Sequence, residues 1–189
     1  MFWFSLLSGV KGRKLKAGIT FPVLAISLAV LIGCTTDLED IDDTNYPGTM
    51  PLLLVGEWGY PSEGYVITEE TLNYNSSGSY EDGDGITQYY DYSFAGDICF
   101  VSNFDSKSGV IIIEYTSPPP DPDPTRPFTA VYYRNLTGNS VQLANVVNLG
   151  DYSSADTETR EKAISKFTRG NMPKYVDWSY VLPQTKIDP

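Results

Sequence analysis

The spacing of apolar residues divides this chain into three stretches. Residues 17–32 are almost continuously hydrophobic, residues 35–50 hold few apolar side chains, and from residue 50 onward short apolar or aromatic runs alternate with Gly, Asn, Asp and Ser. The third pattern is that of antiparallel strands, whose side chains point alternately to two faces and whose turns are made by glycine and short polar residues. It predicts strands over 52–58, 64–74, 86–94, 97–103, 110–116, 128–135, 140–147 and 175–182. That many short strands suits an all-β fold, a small antiparallel barrel of about eight strands.

The connections agree with this. Phe94-Ala95-Gly96-Asp97, residues 104–109 and Leu136-Thr137-Gly138-Asn139 each place turn residues between two runs, so three hairpins are expected. Ile111, Ile113 and Tyr115 share one face of their strand; Val141, Leu143 and Asn145 share one face of theirs, with Gln142, Ala144 and Val146 opposite. Alternation leaves open which face is inside. One short helix interrupts the pattern between 156 and 167, where Arg160, Ala163, Ile164 and Phe167 recur at helical spacing, Asp156 or Thr157 can cap the start, and Arg169-Gly170 supplies a stop. Between 117 and 127, six prolines remove backbone donors and predict a stiff, extended loop.

The apolar run at 17–32 follows Lys11, Arg13, Lys14 and Lys16, the order of a charged and then an apolar region in a secretory signal. It is shorter than a spanning helix prefers and contains Pro22. It ends in Leu31-Ile32-Gly33-Cys34, which resembles the lipobox of bacterial lipoproteins. The resemblance implies that Leu31, Ile32 and Gly33 are recognised by the lipoprotein signal peptidase, that residues 1–33 are removed, and that Cys34 carries the lipid. The apolar residues ahead of Lys11 are unusual for a signal and suggest that translation starts near Val10. Residues 34–50, with Asp37, Glu39, Asp40, Asp42 and Asp43, then read as an acidic, extended tether, and 51–189 as the folded domain.

Charge and composition narrow the function. The net charge is −11, from 13 basic and 24 acidic residues; loss of the four basic residues before Cys34 leaves nine against 24, or −15. Such a field repels phosphate backbones and anionic head groups, so no nucleic acid partner is expected and membrane attachment must come from lipid. The absence of His excludes His-dependent nucleophile systems and His-ligated zinc. With Cys34 assigned to lipid, Cys99 reads as a small buried apolar residue and no disulfide is expected. No cofactor or metal is expected.

Within the β region, Gly56-Glu57-Trp58 resembles the Gly-x-Trp of lipocalins, where the Trp closes the barrel floor. Together with Tyr132-Tyr133-Arg134-Asn135-Leu136-Thr137, Ser140-Val141-Gln142-Leu143-Ala144-Asn145, the short helix and Tyr175-Val176-Asp177-Trp178-Ser179, it is similar to lipocalin-like lipoproteins of spirochaetes over most of the chain after Cys34. The resemblance implies a barrel floor or ligand pocket, with Trp58, Tyr65, Tyr132 and Trp178 as candidate residues and an apolar small molecule as ligand. The chain departs from lipocalins in lacking their usual disulfide and an evident Arg near the last strand.

Two roles follow. One is an envelope protein, lipid-anchored to the inner or outer membrane, whose barrel takes a small apolar molecule. The other is a protein-interaction module on the cell surface or in the periplasm, with a filled barrel and with acidic loops such as residues 81–85, or the proline segment, meeting an envelope or host protein. Catalysis has least support: adjacent carboxylates such as Glu69 and Glu70 would point to opposite faces of a strand.

Overall fold

The computed structural model describes residues 44–187, apart from Pro61 and the side chain of Tyr60. The signal segment, Leu31, Ile32, Gly33, Cys34 and most of the acidic stretch lie outside these residues. Eight antiparallel strands close into a ring: β1 (Gly56–Tyr60), β2 (Glu63–Ile67), β3 (Thr71–Glu81), β4 (Thr87–Asp105), β5 (Ser108–Ser117), β6 (Phe128–Arg134), β7 (Ser140–Asn145) and β8 (Gln184–Ile187), with β8 paired back to β1. The expected all-β class with one short helix, α1 (Arg160–Lys166), is observed.

The ring is uneven. β3 and β4 run 11 and 19 residues, and their outer halves pair with each other beyond the last partners on β2 (Glu63–Ser76) and β5 (Ser117–Ala95), forming a two-stranded arm. At the opposite seam the closure is narrow, since β7 meets β8 only at Ser140–Thr185 and Val141–Gln184.

One apolar cluster takes side chains from seven strands, among them Trp58, Tyr65, Leu72, Phe94, Ile111, Tyr133 and Leu143, and so marks the interior of the ring. A second cluster covers the outside of β4–β7, where Val110, Ile112, Ala130 and Tyr132 meet Ala163 of α1, Phe167 at its C-terminal cap and Val176 beyond it. β5, β6 and β7 are therefore buried on both faces. The neighbours Tyr132 and Tyr133 show this directly: both are almost fully buried, yet Tyr132 donates its hydroxyl to the Thr168 carbonyl on the outer side and Tyr133 donates to Asn103 on the inner.

Several connections differ from the expected ones, each for a local reason. The segment Phe94-Ala95-Gly96-Asp97 is no turn; it lies inside the single long strand β4, and a β-carbon at Gly96 would sit 2.6 Å from the Glu114 carbonyl oxygen. Glycine here permits close approach of β5 at a bulge. A second bulge at Cys99 reverses the alternation, so that Phe94 and Ile98 belong to the inner cluster but Phe100 and Phe104 to the outer one. The run 64–74 is two strands, split where the Thr68 hydroxyl accepts from the backbone N–H groups of Glu70 and Thr71. Glu69 and Glu70 thus sit in an exposed bend.

The first strand begins only at Gly56, because the Leu54 N–H turns back to the Pro51 carbonyl. The last is Gln184–Ile187, since residues 175–182 form turns, with Tyr180 N–H on the Asp177 carbonyl and Val181 N–H on that of Trp178. The helix starts later than expected. Thr157 is held in a two-way backbone pair with Phe128, so Thr159 becomes the cap and accepts from the Lys162 N–H at 3.2 Å. Ahead of β1 the chain is fastened to the fold: Asn45 donates to the Ile164 and Phe167 carbonyls at 2.7 and 2.9 Å, Gly48 N–H to Val101, and Asn103 to the Thr49 carbonyl.

Candidate functional site

The four aromatic residues singled out in the sequence fall on two sides of the sheet. Trp58 is fully buried in the interior, with its indole N–H donating to the Leu54 carbonyl at 2.8 Å and the Lys186 ammonium 5.3 Å from its ring centroid. Lys186, on β8 and paired with Trp58, also donates to the Val55 carbonyl at 3.0 Å; it is the cation beside the last strand, where no Arg stands. Tyr65 is the cross-strand partner of Trp58, packs on Tyr74 with ring centroids 4.6 Å apart, and donates to Asn145 at 3.0 Å.

Tyr132 and Trp178 belong to the outer layer. The Arg134 guanidinium lies 4.3 Å over the Trp178 ring, while its Nε donates to Gln142, which in turn donates to the Val181 carbonyl. These contacts tie residues 178–181 to the barrel wall. Of the four, Trp58 and Tyr65 border a shallow hollow on the β1–β2 side, and Tyr65 alone also lines the cavity at the β7–β8 seam.

That cavity, of about 460 Å³, opens where the ends of β2, β3, β7 and β8 face the segment 175–182. Its inner wall is Tyr65, Tyr74, Leu143 and Gln184, all buried; its rim includes Tyr152 and Tyr180, which are 78% and 84% exposed. Gln184 is 1% exposed, donates from Nε2 to the Glu63 carboxylate at 3.3 Å, and its Oε1 has no hydrogen-bond partner among the described residues. Turning the amide over would set its oxygen against the carboxylate, acceptor to acceptor, so the orphaned atom is the carbonyl oxygen.

No family model, curated protein or solved structure gives a significant match to this chain.

Two carboxylates, Glu63 and Asp177, lie on the wall and rim of the cavity, and among the described residues no Lys or Arg lines it. Hydrogen bonds from the Ser179 hydroxyl and then its backbone N–H hold the Asp177 carboxyl below the usual carboxylate range. Among the described residues no group of three Asp, Glu or Cys side chains gathers closely enough to hold a metal ion. Cys99 is half-buried, donates weakly to the Ile112 carbonyl at 3.3 Å, and has its thiol pushed up by burial, which suppresses the nucleophilic thiolate.

Glu63, Tyr74, Asn145, Asp177 and Gln184 escaped the sequence reading. They come from separate strands and one loop, at spacings that follow no motif. The one local signal was the alternation of Gln184-Thr185-Lys186-Ile187, which marks a strand with Gln184 and Lys186 on opposite faces from Thr185 and Ile187.

Proposed function

We propose that this protein is a lipid-anchored envelope protein whose barrel binds a small, largely apolar molecule at its open end. The observation that carries the binding role is the cavity beside Tyr65 and Gln184. Its volume lies within the range of small-molecule sites, its wall is mostly apolar and aromatic, and it keeps one buried acceptor in reserve. The interior around Trp58 and Tyr133 is packed with side chains, so the ligand sits at the mouth and not in the barrel's centre. The anchor rests on the charged and apolar signal followed by Leu31-Ile32-Gly33-Cys34.

The test is a titration of the purified protein with cationic, neutral and anionic small molecules, following intrinsic fluorescence and melting temperature. A ligand should raise the melting point in proportion to its saturation, and Tyr180→Ala at the rim should weaken binding without lowering the stability of the unliganded protein. A panel that moves neither signal refutes the binding role. Mass spectrometry of the peptide bearing residue 34 tests the anchor separately: it should carry diacylglycerol and begin at Cys34.

A second reading, a protein-interaction module, has one observation in its favour. The β3–β4 arm carries Tyr80, Ile86, Tyr89 and Tyr90 exposed, with the acidic residues 81–85 at its tip. Tyrosine-rich projections suit protein contacts. Protection of the arm from protease added to intact cells would count against a partner outside the cell.

A further inference from the structure

Resting on the reading that the cavity beside Gln184 binds a ligand, we infer that this ligand is an organic ammonium ion: a protonated primary or secondary amine with an apolar or aromatic body. Three independent features of the cavity agree on that chemistry.

The first is the charge on the walls. Glu63 and Asp177 line the cavity with no Lys or Arg among its described lining residues, so a carboxylate or phosphate would meet two like charges there. The chain as a whole, at −11, favours the approach of cations and slows that of anions.

The second is the rings. Tyr65, Tyr74, Tyr152, Tyr175 and Tyr180 all contribute to the lining, and the negative faces of aromatic rings attract an ammonium group while also covering an apolar body. Tyr65 and Tyr74 are fixed by their mutual packing and, for Tyr65, by Asn145; Tyr152 and Tyr180 at the rim are exposed and able to fold over a guest.

The third is the orphaned acceptor. Gln184 Oε1 is buried on the cavity wall with no donor among the described residues, beside a carboxylate. A hydrocarbon would leave it unsatisfied and a quaternary ammonium has no N–H to offer. A primary or secondary ammonium can donate to Gln184 Oε1 and face the Glu63 charge at the same time.

The experiment uses phenethylamine, its neutral isostere 2-phenylethanol and the anion 3-phenylpropanoate, titrated calorimetrically into the purified protein in the form that cells accumulate. The amine should bind at least tenfold more tightly than the alcohol, and the acid should not bind. Glu63→Gln, which keeps the hydrogen bond to Gln184 and removes the charge, should bring amine and alcohol to within about threefold of each other. Glu81→Gln, at the end of the arm, should leave the tenfold preference intact. Equal binding of amine and alcohol, or binding of the acid, overturns the ammonium reading while leaving the cavity a ligand site. If none of the three binds, but a neutral apolar dye raises the melting temperature, the ammonium reading again fails alone. If nothing in the panel binds at all, the ammonium reading and the ligand-binding role fall together.

Discussion

The wall made by β5, β6 and β7 and the arm made by the outer halves of β3 and β4 are both antiparallel sheet, yet different forces hold them. In the wall every residue from Val110 to Ile113 and from Ala130 to Tyr133 is buried, half of them against the barrel interior and half against the helix layer. In the arm Tyr80, Tyr89 and Tyr90 are 58%, 84% and 44% exposed, leaving the backbone ladder and a polar tip. At that tip the Asp82 carboxylate accepts from Gln88 and from the N–H groups of Ile86 and Asp84, which holds its carboxyl below the usual range. A two-stranded ribbon without a packed face is marginal in water. Stability in this protein thus follows the number of layers over a strand and not the strand's length: β4 is the longest strand, and its outer half is the least covered.

The largest effect expected from this contrast is at Phe167, the fully buried anchor of the outer layer. Phe167→Ala should cost about 3–5 kcal/mol in a denaturant titration; a loss below 1 kcal/mol would show that the outer layer contributes little. Next is alkaline pH. Burial first, and then the nearby Tyr175 for Tyr132 and Asp105 for Tyr133, push these two phenols above the ordinary tyrosine value. Their folded forms keep protons that the unfolded chain releases near pH 10, so this stability is intact below about pH 10 and is lost as pH rises above it. These two groups supply about 2.7 kcal/mol per pH unit of the slope, to which Tyr115 and Tyr92, also pushed up by burial, add. Urea midpoints measured from about pH 9 to 11.5 should show it, and Tyr132→Phe should lower it by about 1.4 kcal/mol per pH unit; an unchanged slope in that variant would break the assignment. The smallest effect is in the arm, where Tyr89→Ser should shift stability by less than about 0.5 kcal/mol. A larger loss would mean that the arm packs against something.

The same contrast explains what could be read from the sequence. Alternation and turn residues were enough for a small antiparallel barrel with one helix, because those signals are local; the number eight holds because 64–74 is two strands where 86–94 and 97–103 are one. The double burial of the wall was also present, in the unbroken apolar runs Val110-Ile111-Ile112-Ile113 and Ala130-Val131-Tyr132-Tyr133, which mark strands covered on both sides. Gly96 misled because a glycine that opens a bulge and one that makes a turn look alike without the neighbouring strand. The last strand was misplaced because 175–182 is apolar enough to resemble one, although its hydrophobic residues cover the barrel from outside as a chain of turns. Of the candidate site, Tyr65 was named and the rest was not. Gln184 becomes distinctive only when its unsatisfied oxygen and the carboxylate of a strand 121 residues earlier are seen together.

The two hydrogen bonds from Asn45 to the end of α1 give the fold a mechanical polarity. A pull along the chain from its N-terminal side reaches the Ile164 and Phe167 carbonyls before it reaches any rung of the ladder between β1 and its neighbours. Load arriving from that direction meets the helix cover first, and then β4 through the bonds of Gly48 and Thr49 to Val101 and Asn103.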